Sequence, residues 1–365
     1  MTEPHRFLDI PSIDSEENGE HGWKYRAVHR LEQANRIQIN GHVDETPSVR
    51  ELLAKRANQI HHENHWVLAV QGPEEDPRAV GWASVSLPLH EDLDKAELYV
   101  CVDPEARRQG IGSALLSWCE ELVAPTGRAL LFVEATYGAS EDHEPYLDTP
   151  EGARVPSRCA CVSFAMGKGY ELAHAARRSV LDLPVGPETA ARLMAETSPY
   201  TEGYRLHTWF CEIPLGWRDS FARLKEAFSR DAPMGAVDFE EEVWDHDRVD
   251  QMVREIVDQG NVVLMTASEH VATGELVGFT ELRWPDDPGW ESASQYFTIV
   301  SGEHRGHRLG MWMKLVNAAE MASRQPTIRR VHTDNAHENA PMLDINIKMG
   351  FRPDGGIALM MKRTD

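Results

Sequence analysis

The sequence predicts an α/β protein made of two tandem domains, each a mixed, mostly antiparallel sheet flanked by helices. The chain has 365 residues, which is too long for one ordinary hydrophobic core. Apolar runs of strand length alternate with amphipathic helical patterns. The order of these elements in the first half recurs in the second, with a repeat of about 165 residues per copy. We place the domains at 1–190 and 204–365, with a linker at 191–203.

Composition limits the classes of partner. The 59 acidic and 37 basic residues give a net charge of −22, which argues against nucleic acid or an anionic membrane surface and favours cationic ligands. A solvated acidic surface would explain the same charge. The polar stretch Met1–Glu20 lacks the apolar core of a signal peptide, and no run of 18 apolar residues occurs, so we expect a cytoplasmic protein. The five cysteines lack zinc spacing, which predicts reduced core thiols and no metal site.

The elements of the first half follow from periodicity and from turn residues. We interpret the first twenty residues as a loosely attached lead-in, Trp23–Val28 as a first strand, and the stretch from there to Gln59 as helical. The acidic, proline-rich stretch Tyr137–Pro156 is a predicted long loop. The remaining predictions are strands at Trp66–Val70, Ala79–Leu87, Leu98–Val102, Ala129–Ala135 and Tyr170–Leu183, and helices at Ile111–Val123, Cys159–Met166 and Glu188–Glu196.

The second half repeats this order. Thr273-Gly274 is the predicted turn of a hairpin. The predicted strands are Tyr204–Trp209, Val262–Ala267, Glu275–Leu282, Tyr296–Val300, Ile328–Thr333 and Ile357–Met361, and the predicted helices are Trp217–Phe228, Arg248–Gln259, Gly310–Ala322 and Asn339–Met349.

A glycine loop between a strand and a helix is the central motif of the first copy. Arg107, Gly110 and Gly112 form an Arg-x-x-Gly-x-Gly pattern. Glycines let a backbone approach a ligand closely, and the first N–H groups of a helix attract anions. The spacing is neither that of a P-loop nor that of a dinucleotide fingerprint. A lone glycine pair would fit a turn without a ligand equally well, but the loop recurs in the same context in the second copy, which favours a binding role.

The strand, the Val-Asp-Pro that follows it, this loop and the amphipathic helix resemble the acetyl-coenzyme A loop of the GCN5-related N-acetyltransferase (GNAT) superfamily. The resemblance implies a V-shaped sheet whose strand before the loop pairs with the pantetheine arm, while loop N–H groups hold the pyrophosphate. In the first copy the implied coenzyme-binding residues are Val100, Val102, Arg107, Arg108, Gln109, Gly110, Ile111, Gly112 and Ser113. In the second they are Thr298, Val300, Arg305, Gly306, His307, Arg308, Leu309, Gly310 and Asn339, with Arg308 in place of the first glycine.

The residues of the chemistry depart from the family pattern. Family members carry a tyrosine general acid seven residues after an asparagine, but Asn346 follows Asn339 in the second copy, and Arg158 and Ala165 stand at these positions in the first. An acid would have to come from Tyr137 or Tyr146, from Tyr296, or from water. The implied base on the fourth strand is Glu97, one residue out of the expected register. Glu281 and Glu291 flank the equivalent space in the second copy.

The resemblance implies an N-acetyltransferase that moves an acetyl group from acetyl-CoA, without a metal, to the primary amine of a small, cationic metabolite or antibiotic-like acceptor. The duplicated layout is similar to that of mycothiol synthase, where the C-terminal copy carries the chemistry, whereas the loop motif here favours the N-terminal copy. Two alternatives stay open because both copies lack the tyrosine. One is a non-catalytic acyl-CoA sensor or scaffold, and the other is an acyltransferase with a different donor.

Overall fold

The structure is a computed structural model that describes residues 4–141, 143–149, 152–231, 237 and 239–364. Its contacts divide the chain into two compact units. Unit 1 comprises Met1–Thr149, Arg154–Ala175 and Ile357–Asp365, and unit 2 comprises Pro150–Ala153 and Ala176–Gly356. These units differ from the continuous domains 1–190 and 204–365, because unit 1 takes its last strand from the C-terminal end of the chain.

Unit 1 contains most of the elements of the first copy. They are β1 (Arg6–Asp9), α1 (Gly22–Asn40), α2 (Val49–Ala57), β2 (His62–Gln71), β3 (Arg78–Pro88), β4 (Lys95–Val102), α3 (Ile111–Val123), β5 (Leu130–Gly138), β6 (Tyr146–Asp148), β7 (Arg154–Pro156), α4 (Ala160–Met166) and the first part of β8 (Glu171–Asp182). The strands lie in the order β1-β2-β3-β4-β5, followed by the end of the C-terminal strand β14 (Arg352–Arg363) and then β8.

The N-terminal part of unit 1 differs from the prediction. The predicted strand Trp23–Val28 is part of helix α1, and its buried residues Tyr25, Val28 and Leu31 recur at the three-residue spacing of a helix face. The predicted loose lead-in is also wrong where it is described, because β1 pairs with β2 and Ile10 is fully buried. Six residues of apparent alternation were too few to separate the two periods.

Unit 2 repeats the layout with its own elements. They are the end of β8, α5 (Pro187–Thr197), β9 (Tyr204–Phe210), α6 (Arg218–Asp231), α7 (His246–Asp258), β10 (Asn261–His270), β11 (Glu275–Pro285), β12 (Ser292–Val300), α8 (Leu309–Arg324), β13 (Arg330–Ala336), α9 (Ala340–Met349) and the start of β14. Its strands lie in the order β9-β10-β11-β12-β13-β8. Helix α5 covers most of the predicted linker helix Glu188–Glu196 and buries Leu193, so this segment packs as part of the core of unit 2.

Each unit has a core on both faces of its sheet. In unit 1, α1 and α2 cover one face, with Tyr25, Leu31 and Trp82 in the shared core. Helix α3 packs on β3 and β4. In unit 2, α6 and α7 cover the face that buries Phe221 and Phe279, and α8 packs on β10 and β11. No described helix is long and apolar enough to span a bilayer.

The other predicted elements are confirmed, with shifts at their ends. Helix α3 occupies the predicted range Ile111–Val123, and the predicted hairpin strands of both halves correspond to β2, β3, β10 and β11. The predicted long loop Tyr137–Pro156 contains β6 and β7, which form a small antiparallel ribbon; its residues 142, 150 and 151 lie outside the described part.

Candidate active site

A cleft opens in unit 1 where two parallel strands separate. The ladder between β4 and β5 runs from the pair Lys95–Leu130 to the pair Leu98–Val133. Strand β4 continues to Val102 and β5 to Gly138. We call the gap between 99–102 and 134–138 the unit 1 cleft. The cleft leads toward the loop before α3. Strand β4 forms one edge of the cleft and continues into this loop.

The predicted coenzyme loop has the same backbone form in both units. In unit 1 the left-handed residues are Arg108 (φ 63°) and Gly110 (φ 86°), and in unit 2 they are Gly306 (φ 87°) and Arg308 (φ 54°). Gly110 and Arg308 are the N-caps of α3 and α8. The glycine and the arginine have exchanged places, and the loop keeps its shape. A left-handed non-glycine residue costs roughly 1 kcal/mol, and each of the two loops contains one.

The side chain of the first arginine in each loop makes hydrogen bonds within the protein. In unit 1, Nε of Arg107 donates to the carbonyl of Val102 at 3.5 Å, and its Nη2 donates to Asn35 at 2.6 Å. In unit 2, Nε of Arg305 donates to the carbonyl of Val300 at 3.2 Å. Each arginine therefore braces its loop against the preceding strand. This leaves the backbone N–H groups at the start of the helix as the natural anion donors.

The other loop side chains differ in their surroundings. Oε1 of Gln109 accepts from Gln71 at 3.5 Å, whereas Ile111 and Leu309 are buried in the helix packing. The ring of His307 lies 5.2 Å from that of Tyr204. Arg308 donates to the carbonyl of Glu196 at 3.2 Å and stacks over Tyr200. The arginine that replaces the first glycine is thus held by α5 and the turn after it.

Two carboxylates lie on the α1 side of the sheet at the unit 1 cleft, Glu134 in the cleft wall and Glu97 in the paired part of β4, two residues before the cleft begins. Glu97 shares its strand face with Tyr99 and Cys101, which contact α1, and Glu134 shares its face with Gly138, where a Cβ would lie 2.1 Å from the carbonyl of Ile39 in α1. Both carboxylates are exposed, yet desolvation by the surrounding protein raises both pKa values. The negative charge of Asp92 adds to the shift of Glu97, and that of Glu97 adds to the shift of Glu134. This side of the cleft therefore favours a cation.

A buried carboxylate on α1 holds side chains of β3 and β4 on the face of the sheet that α1 covers. Glu32 of α1 accepts hydrogen bonds from Nε1 of Trp82 at 2.8 Å and from the hydroxyl of Tyr99 at 2.9 Å. Burial and the neighbouring Glu32 raise the pKa of Tyr99 well above its ordinary value, so this phenol stays protonated and donates. The bonds fix Tyr99 at the point where β4 leaves β5.

In unit 2, β12 pairs in parallel with β13 only as far as the pair Gln295–Thr333, and we call the separation of the two strands beyond it the unit 2 splay. Beside this splay, the β11–β12 ladder contains a β-bulge that the described β3–β4 ladder of unit 1 lacks. The pairing of β11 with β12 passes from Glu281–Phe297 to Leu282–Gln295, which leaves Tyr296 as the extra residue. Nε2 of Gln295 fills the bulge by donating to the carbonyls of Glu281 at 2.6 Å and Phe297 at 2.9 Å. Thr298, a predicted coenzyme residue, bonds instead with Thr280 at 2.8 Å. A bulge beside a site redirects a side chain, and Tyr296 is 54% exposed.

The candidate acids lie in three different settings. Tyr137 is buried on the face of β5 opposite Glu97, because successive strand residues alternate. Tyr146 lies under the guanidinium of Arg154 in the β6–β7 ribbon. Tyr296 stacks with Arg283, whose Cζ lies 4.2 Å from the ring centre. Tyr137 therefore faces away from the side of the sheet that carries Glu97.

The positions at which the family carries its asparagine and its tyrosine have structural partners in unit 2. Oδ1 of Asn339 caps α9 by accepting from the N–H of Met342 at 3.3 Å. Asn346 is buried and donates to Asn335 at 2.6 Å, and its own Oδ1 is buried without a hydrogen-bond partner among the described residues. In unit 1 the tyrosine position is the buried Ala165. Neither Asn346 nor Ala165 offers an acidic proton.

Unit 2 also buries charges beside its splay. Glu281 is fully buried and pairs with Arg283, while Nζ of Lys225 lies 3.8 Å from the centre of the Phe297 ring. Burial, opposed in part by the charge of Glu281, lowers the pKa of Lys225 to about 8. Glu291 lies away from this cluster at the start of β12 and pairs with Arg329 and Arg330.

Sequence reasoning missed Glu134 and Lys225. Glu134 follows an apolar run, and its sequence gives no sign that β5 leaves β4 one residue earlier. Lys225 lies on an amphipathic helix, where a lysine is normally solvated. The pairing of β4 with β5 places Glu134 at the unit 1 cleft, and the packing of α6 places Lys225 beside Phe297 of β12.

Comparisons with known proteins agree on the fold. Residues 28–139 match the family model described as the acetyltransferase (GNAT) family. A tandem GNAT protein from the clavulanic acid biosynthesis pathway is 22% identical, with a TM-score of 0.74 over 99% of this chain and 100% of its own. A GCN5-related N-acetyltransferase from Sphaerobacter thermophilus is 17% identical, with a TM-score of 0.61 over 99% and 97%. A search of curated proteins returns no match.

Proposed function

We propose that the chain is a tandem member of the GNAT superfamily and that unit 1 transfers an acetyl group from acetyl-CoA to the primary amine of a small, cationic acceptor. The acceptor belongs to the class of amine-bearing metabolites or antibiotic-like molecules. One observation carries this proposal: Glu97 and Glu134 stand exposed, with raised pKa values, on one side of the sheet at a cleft that leads to the Arg107–Gly112 loop.

Each part of the cleft has a chemical task in this proposal. N–H groups at the start of α3 bind the pyrophosphate, and the edge of β4 at Val100 and Val102 pairs with the pantetheine arm. The acceptor enters from the α1 side, where Glu134 attracts its positive charge. Glu97 takes the proton of the attacking amine, directly or through a water molecule. N–H groups of the splayed β4 edge stabilise the oxyanion of the tetrahedral intermediate.

The departing thiolate receives its proton from water in this scheme. Neither Ala165 nor Asn346 can donate one, and Tyr137 lies on the face opposite Glu97. The same observation favours the second candidate function, a non-catalytic sensor that binds acyl-CoA without turnover. An acyltransferase with a longer donor remains the third candidate, and a donor panel addresses it.

Calorimetric titration of acetyl-CoA tests the coenzyme site. Gly110→Trp places a bulky side chain at the loop, where an added Cβ meets no protein atom within 4 Å and φ is 86°. Gly127→Trp is the matched control, because Gly127 has φ 75° and equally open space after α3. We expect the first variant to lose the unit 1 site, with a Kd raised at least tenfold (about 1.4 kcal/mol), and the control to bind as the parent does.

Turnover with a panel of amines and diamines separates the candidate functions. Release of free thiol that depends on a cationic amine supports the transferase. Tight binding without release supports the sensor, and turnover only with a longer acyl-CoA supports a different donor. Equal affinity in the parent and in Gly110→Trp would contradict the assignment to unit 1, and the absence of binding to both proteins would contradict the acetyl-CoA proposal.

A further inference from the structure

Two cysteines at the start of α4 stand side by side. Sγ of Cys159 and Sγ of Cys161 are 3.8 Å apart. Cys159 donates to the carbonyl of Pro156 at 3.2 Å, and Cys161 donates to the carbonyl of Thr136 at 3.1 Å. Cys101 and Cys119 each lie beside a backbone carbonyl instead, that of Leu31 and that of Ser84. Of the five free cysteines, this pair is distinguished by its direct sulfur–sulfur contact.

The two thiols differ in their readiness to ionise. The contact with Cys161, in which either sulfur can be the donor, and the backbone N–H of Val162 lower the pKa of Cys159, although partial burial opposes this. The same shared proton and burial raise the pKa of Cys161. Cys159 is buried, whereas Cys161 is partly exposed and gives a small solute access to the pair. A thiolate next to a thiol donor is the arrangement in which a disulfide forms readily.

The pair touches the wall of the unit 1 cleft. Thr136, whose carbonyl accepts from Cys161, belongs to the part of β5 beyond the last ladder pair at Val133. Further along α4, the ring of Phe164 lies 3.6 Å from the place of a Cβ on Gly112. Helix α4 thus connects the cysteines with the start of α3, where the proposed function puts the pyrophosphate.

We propose that Cys159 and Cys161 form a site of reversible oxidation by peroxide, in which a disulfide replaces the two thiols and changes the cleft wall. The thiolate of Cys159 attacks one oxygen of hydrogen peroxide, which gives a sulfenic acid and releases hydroxide. Sγ of Cys161 then attacks that sulfur, and its proton leaves with the sulfenic oxygen as water. The sum is two thiols and one peroxide giving a disulfide and two waters.

Closure of the disulfide has a structural cost that links it to the cleft. The sulfur atoms must approach from 3.8 Å to about 2.05 Å. Because the oxidised Cys161 has no S–H, its bond to the carbonyl of Thr136 is lost. The effect on coenzyme binding rests on the proposed function, whereas the oxidation itself does not.

Mass spectrometry of the intact chain decides whether the site exists. We expect one equivalent of peroxide to remove two hydrogens from the tryptic peptide Cys159–Lys168, and dithiothreitol to restore them. Cys159→Ser and Cys161→Ser should each abolish this loss, and Cys211→Ser, which changes another partly exposed thiol, should retain it. Added oxygen on either sulfur without a disulfide, or disulfide-linked dimers on a non-reducing gel, would overturn the proposal.

Calorimetry on the reduced and oxidised protein measures the link to the cleft. We expect severalfold weaker binding of acetyl-CoA after oxidation in the parent and in Cys211→Ser, with no change in Cys161→Ser. Equal affinity of the disulfide and dithiol forms would overturn the link while leaving the oxidation site. Failure of the reduced protein to bind acetyl-CoA would count against the proposed function alone, since the mass measurement needs no coenzyme.

Discussion

The proposed function makes Glu97 the base, and the environment of this carboxylate disfavours its ionised form while leaving it exposed to water. Protein atoms displace part of its solvent, and the charge of Asp92 acts in the same direction, so its pKa lies above the ordinary glutamate value. A base with a raised pKa holds a transferred proton more firmly at neutral pH. The pKa of Glu134 is raised by desolvation by the surrounding protein and by the charge of Glu97, and in the proposed function Glu134 is a second anionic contact for the acceptor.

We predict that Glu97→Gln lowers kcat for amine acetylation by about 10²–10⁴-fold. The parent rate should rise with pH through the raised pKa of Glu97, because the deprotonated carboxylate is the active form, and the variant should lose this limb. Steady-state rates between pH 4.5 and 8 measure both effects. Glu134→Gln is the comparison, and we expect it to raise KM for a cationic amine more than it lowers kcat. A Glu97→Gln profile identical to that of the parent would remove Glu97 from the mechanism.

Lys314 shows the cost of a buried charge. It lies four residues after Gly310 on α8, as Leu116 lies four residues after Gly112 on α3, and both side chains are 2% exposed. Nζ of Lys314 lies 4.9 Å from the centre of the Phe351 ring. Burial lowers the pKa of Lys314 from 10.5 to about 7. The folded protein therefore binds fewer protons than the unfolded chain between these values, and its stability from this group rises with pH across that window.

We predict that Lys314→Leu, which copies the residue of unit 1, raises the free energy of unfolding at pH 7 by roughly 2–4 kcal/mol. The gain should shrink as the pH rises toward the unfolded pKa near 10.5. Thermal melts between pH 6.5 and 10 test this, with the exposed Lys348→Met as control. A gain of the same size at pH 7 and pH 10 would mean that packing and not desolvation sets the effect.

At the scale of the elements, the strands and helices with strong periodicity were predictable and the cleft was not. Helix α3 was predictable because its apolar residues repeat over 13 residues and Gly110 marks its start. The start of α1 was not predictable, because Trp23–Val28 alone alternates like a strand and only the packing of Tyr25, Val28 and Leu31 on the sheet decides the period. The splay after Leu98 depends on where β5 stops pairing, which is a property of two segments distant in sequence.

Some features of the candidate site could likewise be predicted from the sequence, and others could not. The loop motif could be predicted because Gly110 and Gly306 occupy left-handed backbone positions, which favour glycine. The surroundings of Arg308 could not be predicted, since its side chain contacts Glu196 and Tyr200, which are more than 100 residues away in the sequence. The two-residue spacing of Cys159 and Cys161 is visible in the sequence. Whether the two sulfur atoms come into contact depends on the backbone conformation, which the spacing alone does not predict.

At the scale of the whole molecule, unit 1 depends on residues from the far end of the chain. The end of β14 lies between β5 and β8, and Ala358 and Met360 are fully buried. Thr364 donates to the carbonyl of Ala129 at 2.9 Å, and Nζ of Lys362 donates to Glu120 at 3.0 Å. The two sequence copies therefore differ from the two folded units.

We predict that truncation after Gly356 destabilises unit 1 far more than unit 2. Loss of a strand between two others removes its ladders and its buried side chains, which is a cost on the order of several kcal/mol. Hydrogen exchange of α3 and β5 should accelerate strongly, and that of α8 and β11 should change little. A truncation after Thr364, which keeps the hydrogen bond to Ala129, is the control and should behave as the parent. Equal protection of α3 in the parent and the shorter chain would contradict the prediction.

The position of β14 also fixes an order of events during translation. Ribosomes deliver the Arg107–Gly112 loop early, yet the strand that lies beside β5 emerges only after residue 356. Until then the nascent unit 1 presents the unpaired edges of β5 and β8, which can recruit the wrong strand or a chaperone. The unit with the more complete coenzyme motif is thus the one that matures last, after the continuous segment Ala176–Gly356 has left the exit tunnel.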